Sequence, residues 1–319
     1  VAGTGNVARV TVDSSAILIE GPWRHHFVAA NGARFHVAEA GSGTSDAPLV
    51  VLLHGFPQFW WAWRHQLVDL AAAGYRVAAM DLRGHGASDK PPTGYDVPTL
   101  ARDVAGVIRS LGASQAVVVG HGLGGHVAWS MPGLQPAVTR AVGTLSAPHP
   151  LSIHGDPWRS MTLSARLRLL CFQLPTVPER RLMHHRLATR LLRSWGAPGW
   201  LDDETAATYE LGMRLPFAAH SAMESYRWLV RSTPRVDGQR YLSALRAPIG
   251  VPTLQLHGAA DRCLPTPAAS GDVIAPGVPY RFAVLPGVGH YLPEEAPAAV
   301  TELLTTWLAA VTGPGRPQG

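Results

Sequence analysis

Gly120-His121-Gly122-Leu123-Gly124-Gly125 is the stretch on which the reading of this chain turns. It follows the short apolar run Ala116 to Val119 and precedes an apolar helical pattern from Leu123 to about Met131. That order describes a tight turn from a buried strand into a helix. Small residues on both sides of the tip are required where a helix must pack close against the sheet it has just left. The tip of such a turn takes strained backbone angles, which project its side chain. Here the tip is Gly122, which tolerates the turn at little cost and has nothing to project. The string is not a dinucleotide fingerprint, because it lacks the GxGxxG spacing.

Working outward, the chain alternates strand and helix. Phe27 to Ala30 and Arg34 to Ala40 flank Asn31-Gly32, a strong hairpin signal. Pro48 to Leu53, Arg76 to Ala79 and Val138 to Leu145 read as further strands, with helices from about Trp63 to Ala73 and from Val97 to Leu111. From about Pro150 to Pro248 the rhythm stops, leaving helical stretches separated by prolines. It resumes with strands at Val251 to Leu256 and Arg281 to Leu285 and a helix from about Pro293 to Val311. The pattern predicts a mostly parallel sheet flanked by helices, with a helical cap inserted over the carboxyl ends of its strands, where open α/β sheets bind ligands. The expected division is a first core part over 21–149, a cap over 150–248, a second core part over 249–311 and a flexible Gly- and Pro-rich tail over 312–319. No internal repeat is present.

Composition bounds the function. The 319 residues are 46% hydrophobic and 15% charged, with 27 prolines and 33 glycines, which suits a large apolar core with many turns. No stretch reaches 18 uninterrupted apolar residues, so no membrane-spanning helix is predicted. The chain opens at Val1 without an initiator Met or a basic-then-apolar leader, which leaves room for a processed precursor; a cytoplasmic location is the expectation. Cys171 and Cys263 are too few for a disulfide framework and read either as a pair or as two unrelated thiols. The net charge of +5 is almost all arginine, scattered and without aromatic interleaving, so a nucleic-acid partner is not expected. The local basic excess between Ser152 and Arg246, with Arg180, Arg181, Arg186, Arg190 and Arg193 close together, reads as a solvated helix face or as an attraction for an anionic ligand or surface.

Three further signals fall in order around the Gly122 turn. His54-Gly55-Phe56-Pro57 directly follows a buried strand, and the Phe56 amide there is a candidate oxyanion donor. Asp261 stands just past the strand ending near Leu256, and His290, in Gly287-Val288-Gly289-His290, just past the next. Tip residue, then Asp, then His is an order that places an acid behind a histidine base. The alternative is a structural hydrogen-bonded pair.

With these residues in place the chain resembles the epoxide hydrolase branch of the α/β-hydrolase superfamily, related to haloacid and haloalkane dehalogenases. HGFPQFWWAWRHQ (His54 to Gln66) is similar to the branch's oxyanion region, and DLRGHGASDKP (Asp81 to Pro91) to its DxRGxGxSDxP loop. LSAPHP (Leu145 to Pro150) is similar to the entry to its cap, and GVGHYLPEEAP (Gly287 to Pro297) to its catalytic-histidine segment. The likeness runs from about Gly21 to Val311. It implies an α/β-hydrolase fold with an inserted helical cap, His290 as the catalytic histidine and Asp261 as its acid. It also implies backbone oxyanion donors at Phe56 and Leu123, and through Glu224-Ser225-Tyr226-Arg227-Trp228 a ring-opening tyrosine at Tyr226 that could equally be a cap-core aromatic. The branch's second tyrosine would fall near Arg168, upstream of Phe172-Gln173. The branch opens epoxides with an aspartate at the tip position occupied here by Gly122. Leu123 replaces the tryptophan that commonly follows that aspartate, which counts against haloalkane chemistry and makes the string resemble a serine-esterase elbow with its serine deleted.

The expectation is therefore an epoxide-hydrolase-like hydrolase in which a water activated by His290 and Asp261 replaces the covalent nucleophile, with weakened or lost activity. A non-catalytic ligand-binding homologue, a carboxylic ester hydrolase and a cofactor-free lyase or oxygenase stay open. The expected partner is a small apolar or partly anionic organic molecule; no cofactor is expected. Nor is a metal, since His25-His26 and His184-His185 are adjacent pairs rather than spaced ligands. Oligomeric state is not readable from these residues.

Overall fold

The computed structural model describes residues 12–41, 47–156, 160–267 and 269–313. Eight strands form one sheet: β1 (Arg24–Ala30), β2 (Ala33–Ala40), β3 (Leu49–Leu53), β4 (Arg76–Met80), β5 (Ala116–His121), β6 (Thr139–Leu145), β7 (Thr253–Gly258) and β8 (Tyr280–Leu285). Their order is β1-β2-β4-β3-β5-β6-β7-β8. The pairs β1/β2 and β2/β4 are antiparallel and all others parallel. The predicted hairpin turns through Asn31 at φ 43° and Gly32 at φ 73°, the positive angles a two-residue turn of that twist requires.

Strand alternation divides the core in two. Val50 and Leu52 of β3 point to one face, with Val117 and Val119 of β5; there they meet α1 (Arg64–Ala72) and α12 (Pro297–Thr312). Leu49, Val51 and Leu53 point to the other face with Val118, against α2 (Val97–Ser110) and α3 (Leu123–Leu134). The period of two thus buries both faces of the central strands, which explains why they read as continuous apolar runs. The start of α2 is set by Asp96, whose carboxylate accepts from the Thr99 amide at 2.8 Å, with Pro98 in the first turn.

Between β6 and β7 the chain makes the inserted helical region: α4 (Pro150–Gly155), α5 (Leu163–Phe172), α6 (Val177–His184), α7 (Leu187–Trp195), α8 (Asp203–Arg214), α9 (Ala218–Arg231) and α10 (Val236–Ala244). The single C-terminal helix expected from Pro293 is two, α11 (Leu292–Glu295) and α12, divided at Ala296 before Pro297. Proline disfavours helical angles in the residue before it. Conversely α3 runs past Met131 to Leu134 with Pro132 inside it. The last residues of the expected tail, 314–319, lie outside the described residues.

Candidate active site

The turn at Gly122 is built by glycines that nothing else could replace. A β-carbon on Gly120 would stand 2.1 Å from the Gly124 carbonyl oxygen, and one on Gly124 would stand 2.3 Å from that of Leu53. Helix α3 therefore starts in contact with the ends of β3 and β5. Gly122 itself has φ 53° and ψ −113°. A β-carbon there would meet only Gly55 Cα at 3.5 Å and His290 Nε2 at 3.7 Å, ordinary contact distances.

His290 follows β8, and its Nδ1 lies 2.8 Å from Asp261 Oδ2. The other Asp261 oxygen accepts from the amides of Cys263 at 2.7 Å and Leu264 at 2.9 Å. Burial alone would raise this carboxyl, but the charge and hydrogen bond of His290, then His257, hold it below the usual carboxylate range. The fixed carboxylate selects the tautomer with hydrogen on Nδ1, which leaves Nε2, the nitrogen nearest Gly122, as a base.

Loops around the pair are held by other polar side chains. Glu295 accepts from the amides of Gly289 at 2.6 Å, Tyr291 at 2.8 Å and Ala197 at 2.9 Å, clamping the His290 loop to the end of α7. His54 Nδ1 donates to the Gly55 carbonyl at 2.8 Å and its Nε2 accepts from the Leu82 amide at 3.1 Å, which sets the Gly55-Phe56 turn. The peptide between Phe56 and Pro57 is cis. Among the described residues neither the Phe56 nor the Leu123 amide has a hydrogen-bond partner. Asp81 opens the loop to Pro91: it pairs with His36 at 2.8 Å and accepts from the Trp60 and Ala87 amides.

A pocket of about 130 Å³ lies under the inserted helices. Of the residues singled out from sequence, Gly122, Leu123, Tyr226 and His290 line it. Asp261 sits behind His290, and the Phe56 ring packs 5.2 Å from that of Tyr226. The Tyr226 hydroxyl has no partner among the described residues, and burial, then the nearby Cys263 thiol, raise its pKa. Arg168, near the expected second tyrosine, does not line the pocket; Phe172, from the same helix, does. Cys171 and Cys263 are both free thiols. The basic cluster of α6 and α7 contributes nothing to the pocket wall, which among the described residues holds no arginine or lysine. No group of three or more His, Cys, Asp or Glu among the described residues is placed to hold a metal ion, and no helix is long and apolar enough to cross a membrane.

Ser146, Trp195, His126 and His154 line the pocket without having been given a role from the sequence. Ser146 directly follows β6 at φ 47° with its hydroxyl buried and unpartnered. A serine holding a left-handed angle directly after a buried strand leaves no pattern in the sequence. Trp195, the last residue of α7, accepts the His290 amide at its carbonyl at 3.2 Å and sets its ring 5.6 Å from that of His290.

An open, mostly parallel sheet, a helical insertion and an Asp–His pair facing a tight strand-to-helix turn define a recognisable hydrolase architecture. The sequence pattern described as "Alpha/beta hydrolase family" matches residues 50–303. The AB hydrolase superfamily protein YfhM of Bacillus subtilis is 31% identical, over 88% of this chain and 96% of its own. Epoxide hydrolase A of Mycobacterium tuberculosis is 30% identical, over 89% and 97% respectively. The crystal structure of Epoxide Hydrolase A from Mycobacterium thermoresistibile superposes with a TM-score of 0.73 at 26% identity, covering 90% of this chain and 98% of that one. The chain belongs to the alpha/beta hydrolase family and, within it, to the epoxide-hydrolase-like branch.

Proposed function

We propose that the chain hydrolyses an epoxide by direct attack of water, without a covalent intermediate. The observation that carries this reading is the approach of His290 Nε2 to within 3.7 Å of the position a Gly122 side chain would fill. A water lying between that position and Nε2 would come within hydrogen-bond reach of a base whose other nitrogen is already committed to Asp261. In the step, the water oxygen bonds to an epoxide carbon while the ring C–O bond breaks. Its proton passes to Nε2, and the departing oxygen takes a proton from the Tyr226 hydroxyl, which like any phenol is protonated at neutral pH. Return of the His290 proton to Tyr226 through solvent closes the cycle. Gly122 supplies no nucleophile, so this route should be several orders of magnitude slower than one through a covalent ester.

Carboxylic ester hydrolysis is a second reading. It is favoured by the unpartnered amides of Phe56 and Leu123 beside Gly122, which could take up charge on a tetrahedral oxyanion. Rates on an aryl epoxide and an aryl ester, for the chain and for His290→Ala, test both. Epoxide turnover that His290→Ala lowers about 10²-fold or more supports the proposal. Turnover of neither substrate leaves a ligand-binding protein and overturns it.

A further inference from the structure

Among the described residues the pocket wall is mostly apolar, and besides Ser146, Tyr226 and Cys263 its polar groups fall at two places. One is the reacting end at Gly122 and His290. The other is formed by His126, one turn along α3 from Gly122, and His154, at the end of α4 in the inserted helical region.

His126 lines the pocket, is partly buried, and makes no side-chain hydrogen bond among the described residues. His154 uses Nδ1 in a 3.3 Å contact with the Thr233 hydroxyl, which leaves Nε2 unused. The electrostatic neighbours of His126 are His154 and His149.

Burial, then repulsion from these neighbours, pushes His126 down to about 3; burial lowers His154 as well. Among the described residues no arginine, lysine, aspartate or glutamate lines the pocket, so the described wall at this end carries no permanent charge. A neutral imidazole both donates and accepts, and an unpaired one inside an apolar wall is costly unless a ligand group meets it.

We propose that His126 and His154 form a polar subsite that takes a neutral hydrogen-bonding group, a hydroxyl or a primary amide, at the tail of an otherwise apolar substrate. That the head of this substrate reacts at His290 rests on the proposed epoxide hydrolysis; the subsite itself does not.

The test uses three non-reactive phenylalkyl amides that differ only at the far end of the alkyl chain, which carries a methyl, a hydroxyl or a carboxylate. Their Kd values are measured by calorimetry at pH 7.5, and kcat/KM is measured in parallel for the corresponding epoxides. The hydroxyl compound should bind about 3- to 10-fold more tightly than the methyl compound, the range one well-placed hydrogen bond confers. His126→Phe or His154→Phe, which keep an aromatic ring in place, should bring the two to near parity while leaving the methyl compound within about twofold. Equal binding of methyl and hydroxyl compounds by the parent overturns the subsite, as does a preference that survives in both variants. Tighter binding of the carboxylate overturns its neutral character. Selective binding without any epoxide turnover would instead retain the subsite and reject the proposed reaction.

Discussion

A β-carbon on Gly122 would lie 3.7 Å from the Nε2 of His290 with only Gly55 Cα otherwise near it. The two residues are far apart in sequence, and the order of β5, β6, β7 and β8 in the sheet brings their loops to one edge. The space beside Gly122 therefore has room for the first atom of a side chain.

Gly122→Asp should place a carboxylate against His290 without displacing a neighbour. The cost is the left-handed φ, about 1–3 kcal/mol, read as a lower denaturant midpoint. Epoxide hydrolysis should rise by several orders of magnitude as the covalent route becomes available. Gly122→Ser should raise ester hydrolysis instead. Steady-state rates on the two aryl substrates separate these outcomes.

The neighbouring glycines should behave in the opposite way. Gly124→Ala drives a methyl group to 2.3 Å from the Leu53 carbonyl oxygen, a backbone atom that cannot swing aside. We expect loss of folded protein or destabilisation beyond about 3 kcal/mol, measured by soluble yield and urea unfolding.

Glu294 ties the inserted helices to the core. It is buried between Arg64, Gln58 and the Tyr209 hydroxyl of α8, the last at 2.7 Å. Glu294→Ala leaves Arg64 without its partner and should cost about 3 kcal/mol, a penalty of the kind seen when one member of a buried pair is removed. Thermal unfolding checks it.

Stability should fall on acidification from neutral pH. Burial, as the largest cause, holds His85, His121 and His126 down to about 3 and His149 to about 4, against about 6.5 when unfolded. Between those values the unfolded chain binds protons that the folded chain refuses, so unfolding free energy decreases as pH drops. The stabilisation is complete above about pH 6.5, and each group adds a slope of about 1.4 kcal/mol per pH unit below it. Urea midpoints from pH 7 to pH 4.5 should fall steadily, with a shallower slope in His126→Phe.

Much of this architecture was legible because it rests on local rules. Buried parallel strands announce themselves as short apolar runs ending in glycine, and Asn31-Gly32 marks its hairpin. The strand ends were then enough to place Asp261 and His290 on adjacent loops, where the structure brings them into contact. The pocket wall was less legible, because it is assembled from one helical position at a time. His126 looks like any helix residue, and Ser146 like any residue following a strand. Glu295 was visible only as part of a motif, and one of its three amide contacts, Ala197, comes from a loop far away in the chain.

The most direct test of the proposed chemistry is a single turnover of an aryl epoxide in water enriched in oxygen-18, with enzyme in excess. Direct attack by the water that His290 activates predicts label in the diol from the first turnover, and no diol above background in His290→Ala. Unlabelled diol in the first turnover would mean that an oxygen from the protein opened the ring, which contradicts direct water attack at Gly122 and His290.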